Sequence, residues 1–279
     1  MEDVVNELKK YNITDCSIFK PTYKKEIINY LSNNSKRFEL LILFGGDGTF
    51  NEMLNGLMFN SFKPKILYVP VGTVNDLGKY LQIPNNYRDA FRLLNTNPIL
   101  MDVCKVNDKY FSYVLACGKF TNVSYGSNLN KWKKIFGKFY YYLKGIYDLF
   151  SRNMIQISLD NGDVKKVSLI LFLNIWRVGN FKIRKKNNKL NDGCINMVFF
   201  KNTIFFDVIS IFLFLIFGIS LKGMVEFKKS HSFLIKMKEP VQFNFDGEEC
   251  YLTDQIKVEV IKEALLIYVP QKGKNKHFL

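Results

Sequence analysis

Residues 40–57, LLILFGGDGTFNEMLNGL, decide how this chain folds. Five apolar residues, Leu40 to Phe44, run straight into Gly45-Gly46-Asp47-Gly48-Thr49. A short apolar run closed by glycines reads as a strand buried on both faces. Beyond it Phe50, Met53, Leu54, Leu57 and Met58 recur at helical spacing and mark one apolar face. Thr49 with Glu52 three residues later has the spacing of a capping box, which would start that helix at Phe50. Strand, glycine turn and helix N-terminus together aim unpaired backbone N–H groups and a positive dipole end at one point. That geometry suits a phosphate.

The pattern returns at 65–71, where an apolar run ends in Pro70-Val71-Gly72-Thr73 and residues 75–81 can form a helix. Thr73 followed by Asp76 resembles a second N-cap. Upstream, residues 2–11 and 24–33 read as amphipathic helices and 16–19 as a short strand. Alternating strands and helices predict a doubly wound parallel sheet, with both glycine turns facing the crevice where such sheets bind ligands.

After Pro98 the texture changes. Residues 99–106 and 110–117 read as a hairpin about Asn107-Asp108, and 129–150 as an aromatic, basic helix. From 154 onward short strands dominate: 154–159, 164–174, 194–200, 232–238, 241–245, 256–261 and 264–269. The expected division is an α/β domain over 1–98 and a β-rich domain, a sandwich by its strand spacing, over 99–269. Residues 182–191 read as an exposed loop, and 270–279 as a basic tail that packs back on the first domain. Residues 208–221 hold no charge, but a spanning helix needs about 20 apolar residues, so a buried or interfacial helix is the reading. Phe205, Phe206, Phe212, Phe214 and Phe217 then line either an acyl-chain cavity or plain core.

Forty basic against 25 acidic residues leave a net charge of +15 over 279 residues, which favours an anionic partner or a generally basic surface. The five cysteines are scattered without a CxxC pair, so neither a zinc site nor a disulfide framework is indicated. GxxxxGK[ST] and GxGxxG are both lacking, which sets aside P-loop NTPases and dinucleotide turns. Met1-Glu2-Asp3 does not open a signal peptide, and no nucleic-acid module is visible.

Five motifs in order resemble the bacterial diacylglycerol kinase-like lipid kinases, relatives of sphingosine kinases. That family shares its nucleotide domain with NAD kinases and phosphofructokinases. The motifs are Gly45–Leu57, Pro70–Asp76, the aromatic stretch Gly118–Tyr125 with the lysine-rich Lys131–Gly145, Leu190–Gly193, and Asp246-Gly247-Glu248. Asn174 and Gly179 are similar to a further family pair. The resemblance implies an NAD kinase/phosphofructokinase-like α/β domain followed by a β-sandwich. It also implies an ATP- and Mg²⁺-dependent kinase acting on a lipid hydroxyl, with diacylglycerol the first choice. Another lipid alcohol, such as phosphatidylglycerol or a polyprenol-like one, is the alternative, and a lipid-binding pseudokinase the reading from another class.

By the same resemblance Gly45, Gly46, Asp47, Gly48, Thr49, Phe50, Asn51, Gly72, Thr73 and Asn75 hold the nucleotide, with Thr22 a further contact. Asp246 and Glu248 take the proton from the acceptor hydroxyl, Glu248 being favoured as the base. Asp192, with carbonyls near Lys189 and Cys194, forms a Mg²⁺ site. Apart from the resemblance, Lys131, Lys133, Lys134, Lys138 and Lys144 read either as a basic face that docks on an anionic membrane at the inner face of the cell membrane or as a solvated helix face, and a homodimer is a further expectation. Family members begin with a strand ending in NPxxG, which does not occur before Leu8. The expectation is therefore a truncated chain or an ATP site lacking one wall. Val74 and Asn191 are smaller departures.

Overall fold

The computed structural model describes residues 2–118, 155–159, 162–178, 181–183, 189–201, 203, 206–246, 248–252 and 254–279. The segment 129–150 with its lysines, Gly179, Phe205 and Gly247 lie outside the described residues, as do the side chains of 248–252.

The first half alternates as its sequence predicts. Helices α1 (Glu2–Lys9) and α2 (Glu26–Asn34) precede β1 (Leu40–Gly45), α3 (Asp47–Leu57), β2 (Lys65–Pro70), α4 (Asp76–Leu81) and α5 (Tyr87–Phe91). β1 and β2 pair in parallel from Leu40↔Lys65 to Gly45↔Pro70, so both glycine turns leave the same end of the sheet. Gly56 lets α2 and α3 close on each other, since a Cβ there would stand 3.0 Å from the Ile28 carbonyl oxygen.

Three details of this half correct the sequence reading. Residues 16–19 form no strand; Phe19 instead stacks on Tyr30 of α2 at 3.9 Å. β1 is not buried on both faces, because it ends the path of paired strands and leaves Phe44 exposed. The strand packed on both faces is β2, buried from Ile66 to Pro70.

The second half is rich in strands: β3 (Ile99–Val106), β4 (Lys109–Phe111), β5 (Val114–Gly118), β6 (Ile155–Leu159), β7 (Val164–Leu173), β8 (Arg177–Val178), β9 (Phe181–Lys182) and β10 (Ile195–Lys201). Helix α6 (Phe206–Phe217) follows, then β11 (Val225–Ser230), β12 (Ser232–Met237), β13 (Val241–Phe245), β14 (Glu248–Leu252) and β15 (Gln255–Ile267). β3 and β4 make the expected hairpin. The chain then breaks at Ser112-Tyr113, and β5 pairs with β7 and β13 instead. Residues 256–261 and 264–269 are not two strands. They belong to β15, whose register shifts between Ile261 and Leu265 as Glu263 takes a φ of 52°.

β15 joins the halves. It pairs with β3 and β12, and its last residue lies parallel to β2 at Ile267↔Ile66. The tail is no loose basic end: α7 (Gln271–His277) packs on α4, with the His277 ring 3.9 Å from that of Tyr80. Gly273 is needed there, because a Cβ would meet the Leu81 carbonyl oxygen at 2.3 Å. α6 is a helix as read, but Phe206, Phe212 and Phe217 point outward, and of the described phenylalanines in that set only Phe214 is core.

Candidate active site

Gly46 is the N-cap of α3, in extended conformation and with no side-chain cap, and the first helical residue is Asp47. Thr49 is therefore inside the helix, and the capping box is not formed. Glu52 instead accepts from the Lys25 N–H at 3.1 Å. The first intrahelical bond runs from Phe50 N–H to the Gly46 carbonyl at 3.0 Å. The N–H groups of Asp47, Gly48 and Thr49 precede it, the ones an α-helix leaves without an internal acceptor. Phe50 adds nothing further to the cradle, since its ring is buried edge-on against Tyr68 at 5.1 Å.

The second turn presses against the first. A Cβ on Gly72 would lie 2.5 Å from the Gly46 Cα, so only glycine permits this approach. Asn75 adopts a left-handed conformation and donates to the carbonyls of Pro70 and Gly72 at 3.1 and 2.6 Å. The cap on α4 does not come from Thr73, which is exposed. It comes from Asp47, whose carboxylate accepts from the N–H groups of Asp76 and Leu77 at 2.9 and 3.2 Å. Burial pushes the Asp47 pKa up to about 6 against these hydrogen bonds. Gly48 has open space where its Cβ would be. Thr22 gives both its N–H and its hydroxyl to Glu26.

From the other side comes Asp246, 1% exposed and at a φ of 46°. Its carboxylate accepts from the N–H and hydroxyl of Ser112, the N–H groups of Tyr113 and Val114, and the Asn51 side chain at 3.2 Å. Burial raises its pKa while these bonds lower it. Held this fully, Asp246 anchors the β13–β14 turn rather than facing a ligand. Glu248 starts β14 opposite Phe245, two residues past that anchor. Asn51 is drawn the same way: its amide donates to Asp246 and to the Tyr110 carbonyl, away from the glycine turns.

The proposed cation site is differently built. Asp192 accepts from Cys194 N–H at 3.0 Å and pairs with the Lys229 ammonium at 2.7 Å. Lys189 donates its ammonium to the Phe278 carbonyl, and the Gly193 carbonyl meets His231 Nδ1 at 2.5 Å. No group of three or more His, Cys, Asp or Glu gathers among the described residues. A carboxylate already matched by an ammonium does not fit a divalent ion at this turn. Asp47 is the carboxylate beside the α3 N-terminus: each of its oxygens accepts one N–H bond from α4, and Mg²⁺ carried on a polyphosphate uses one or two carboxylates besides phosphate oxygens.

Four residues that bind this site together were missed from sequence: Asn55, Asp102, Ser112 and Arg177. Asn55 exchanges hydrogen bonds with the Tyr110 backbone, at 2.9 and 3.0 Å. Asp102 accepts from the N–H groups of Gly193 and Glu263, at 2.7 and 2.8 Å. Arg177 pairs with the buried Asp76 at 2.9 Å. Only Asn55 left a signal, a second asparagine four residues after Asn51 on a buried helix.

Residues 1–106 match the diacylglycerol kinase catalytic domain. A diacylglycerol kinase of Staphylococcus aureus (strain bovine RF122 / ET3-1) is 31% identical over 218 residues, covering 76% of this chain and 69% of the relative. One from Staphylococcus carnosus (strain TM300) is 29% identical over 249 residues, covering 87% and 80%. The fold superposes on a Bacillus anthracis str. Sterne diacylglycerol kinase with a TM-score of 0.70 at 20% identity, covering 97% of this chain and 92% of that one. It also superposes on an NAD kinase from Archaeoglobus fulgidus in complex with ATP, with a TM-score of 0.56 at 12% identity and coverage of 98% and 90%. Both likenesses concern the α/β sheet with its strand-rich continuation. On the sequence relatives and the matched domain, this chain belongs to the diacylglycerol kinase family.

Proposed function

We propose that this chain transfers the γ-phosphoryl group of ATP to a lipid hydroxyl, and that the acceptor is diacylglycerol, giving phosphatidic acid. The observation that carries the reading is the N-terminus of α3, which has no side-chain cap and is pressed by Gly46 against Gly72, so that the two glycine turns stand side by side. Such a terminus favours a polyphosphate through its N–H groups and dipole. The likeness to an NAD kinase solved with ATP supports a nucleotide there.

Phosphoryl transfer asks mainly for positioning and for stabilisation of negative charge. The N–H groups of Asp47, Gly48 and Thr49 hold phosphate oxygens. Asp47 would hold Mg²⁺, which when bound neutralises charge on the transferring group. Asp246 is a positioning residue: its hydrogen bonds fix the backbone from which β14 begins. Glu248 is assigned as the base. It takes the proton of the acceptor hydroxyl as the new O–P bond forms and the bond to ADP breaks. The acceptor is a membrane lipid, so the protein works at an anionic membrane surface on the cytoplasmic side.

The test is transfer of radiolabel from γ-labelled ATP to diacylglycerol in mixed micelles. Labelled phosphatidic acid is expected, and Glu248→Gln should abolish it while ATP still raises the unfolding temperature. Absence of both transfer and ATP stabilisation in the unaltered chain overturns the reading.

A further inference from the structure

Helix α6 packs on the sheet through Ser210, Ile211 and Phe214, with the Phe214 ring 5.3 Å from Phe200 and 5.8 Å from Phe227. Its opposite face is not polar. Phe206 is 63% exposed, Ile209 48%, Phe212 53% and Phe217 55%, with Leu213 and Ile216 half-buried between them. Ile219, just past the helix, is 51% exposed and extends the patch. The one charge in the helix, Asp207, is buried on the other side. Scattered exposed apolar residues need no explanation, but here every exposed position of the helix is large and apolar.

We infer that this face of α6 lies in the interfacial layer of an anionic lipid surface, and docks the protein beside its substrate. The inference rests on the lipid-kinase reading for its purpose, though not for its geometry. Three observations favour lipid over other occupants. The helix has 12 residues, too few to cross a bilayer but enough to lie along one. The exposed area, on the order of 500 Å², falls short of the roughly 800 Å² per partner of a stable protein interface. The chain carries +15, which draws it to anionic headgroups. An apolar face on a strongly basic protein matches a surface that is apolar beneath and anionic on top.

The experiment is flotation of the full chain with vesicles of phosphatidylglycerol and phosphatidylcholine in equal parts. It compares the unaltered protein with the double variant Ile209→Ser/Phe212→Ser. Both side chains are half-exposed, so the unfolding temperature should be unchanged. The unaltered chain is expected to float, and the variant's partition coefficient to fall by about tenfold or more. Turnover of dispersed dioctanoylglycerol, which needs no docking, should stay the same. Failure of the unaltered chain to float, or equal flotation of the variant, overturns the inference. So does a dimer in the ultracentrifuge that the variant dissolves, because the face would then belong to a second copy. Differential flotation without any turnover of dioctanoylglycerol supports the inference and counts against the kinase reading.

Discussion

At Asp47, burial and hydrogen bonding pull in opposite directions. Burial is the larger effect and lifts the carboxyl from 3.8 to about 6, while the N–H groups of α4 and the charges of Asp76 and Asp246 act as smaller corrections. The folded protein therefore binds this proton more tightly than the unfolded chain. Stability falls as pH rises from about 4 to 6 and is level above, by about 3 kcal/mol if the whole shift is expressed. Asp47→Asn removes that slope, so its stability relative to the unaltered protein should climb over the same window. Urea unfolding from pH 4 to 8 reads it, and two parallel curves would count against the raised pKa. Two neighbouring glycines separate structure from binding. Gly72→Ala drives a Cβ onto the Gly46 backbone and should cost about 1–3 kcal/mol. Gly48→Ala meets nothing, so unfolding should hardly move while ATP affinity falls, as a thermal-shift titration would show.

Between elements, the two halves are pinned by polar pairs rather than by apolar contact alone. Arg177 on β8 reaches Asp76 at the start of α4, and Asn51 on α3 reaches Asp246. Arg177→Met leaves Asp76 buried with its ion partner removed and should cost about 3–5 kcal/mol, with much of the loss recovered by adding Asp76→Asn. Denaturant midpoints of the three proteins decide this. Such pairs explain what could be read in advance. β1, α3 and β2 were legible because apolar period and glycine punctuation act within one segment. The start of α3 was misplaced because its true cap is backbone geometry at Gly46, which leaves no side-chain mark. The cap of α4 was invisible for another reason: Asp47 supplies it from 29 residues away. Asp246 was found only through resemblance, since its five donors come from segments more than 130 residues distant or from α3. Local spacing carries no record of a partner so remote.

Across the whole molecule, the last residues are part of the first half's fabric. His277 and Phe278 are buried, Leu190 N–H donates to the His277 carbonyl, and Lys189 to that of Phe278. Removing residues 271–279 should therefore lower stability by at least about 3 kcal/mol, seen as a depressed unfolding temperature, even though most of the deleted side chains are basic and polar. The strand before them carries a larger consequence. β2 has β1 on one edge and only β15 on the other, at Ile267↔Ile66, with Tyr268 N–H bonded to the Ile66 carbonyl. A chain emerging from the ribosome thus exposes that edge of β2 until some two hundred further residues have been made. Such distant pairing slows folding and leaves an open strand edge available for wrong partners. The paired glycine turns borne on β1 and β2 are translated early and finished last. Binding competence should appear only after release of the complete polypeptide, and nascent chains stalled before residue 255 should retain no ATP.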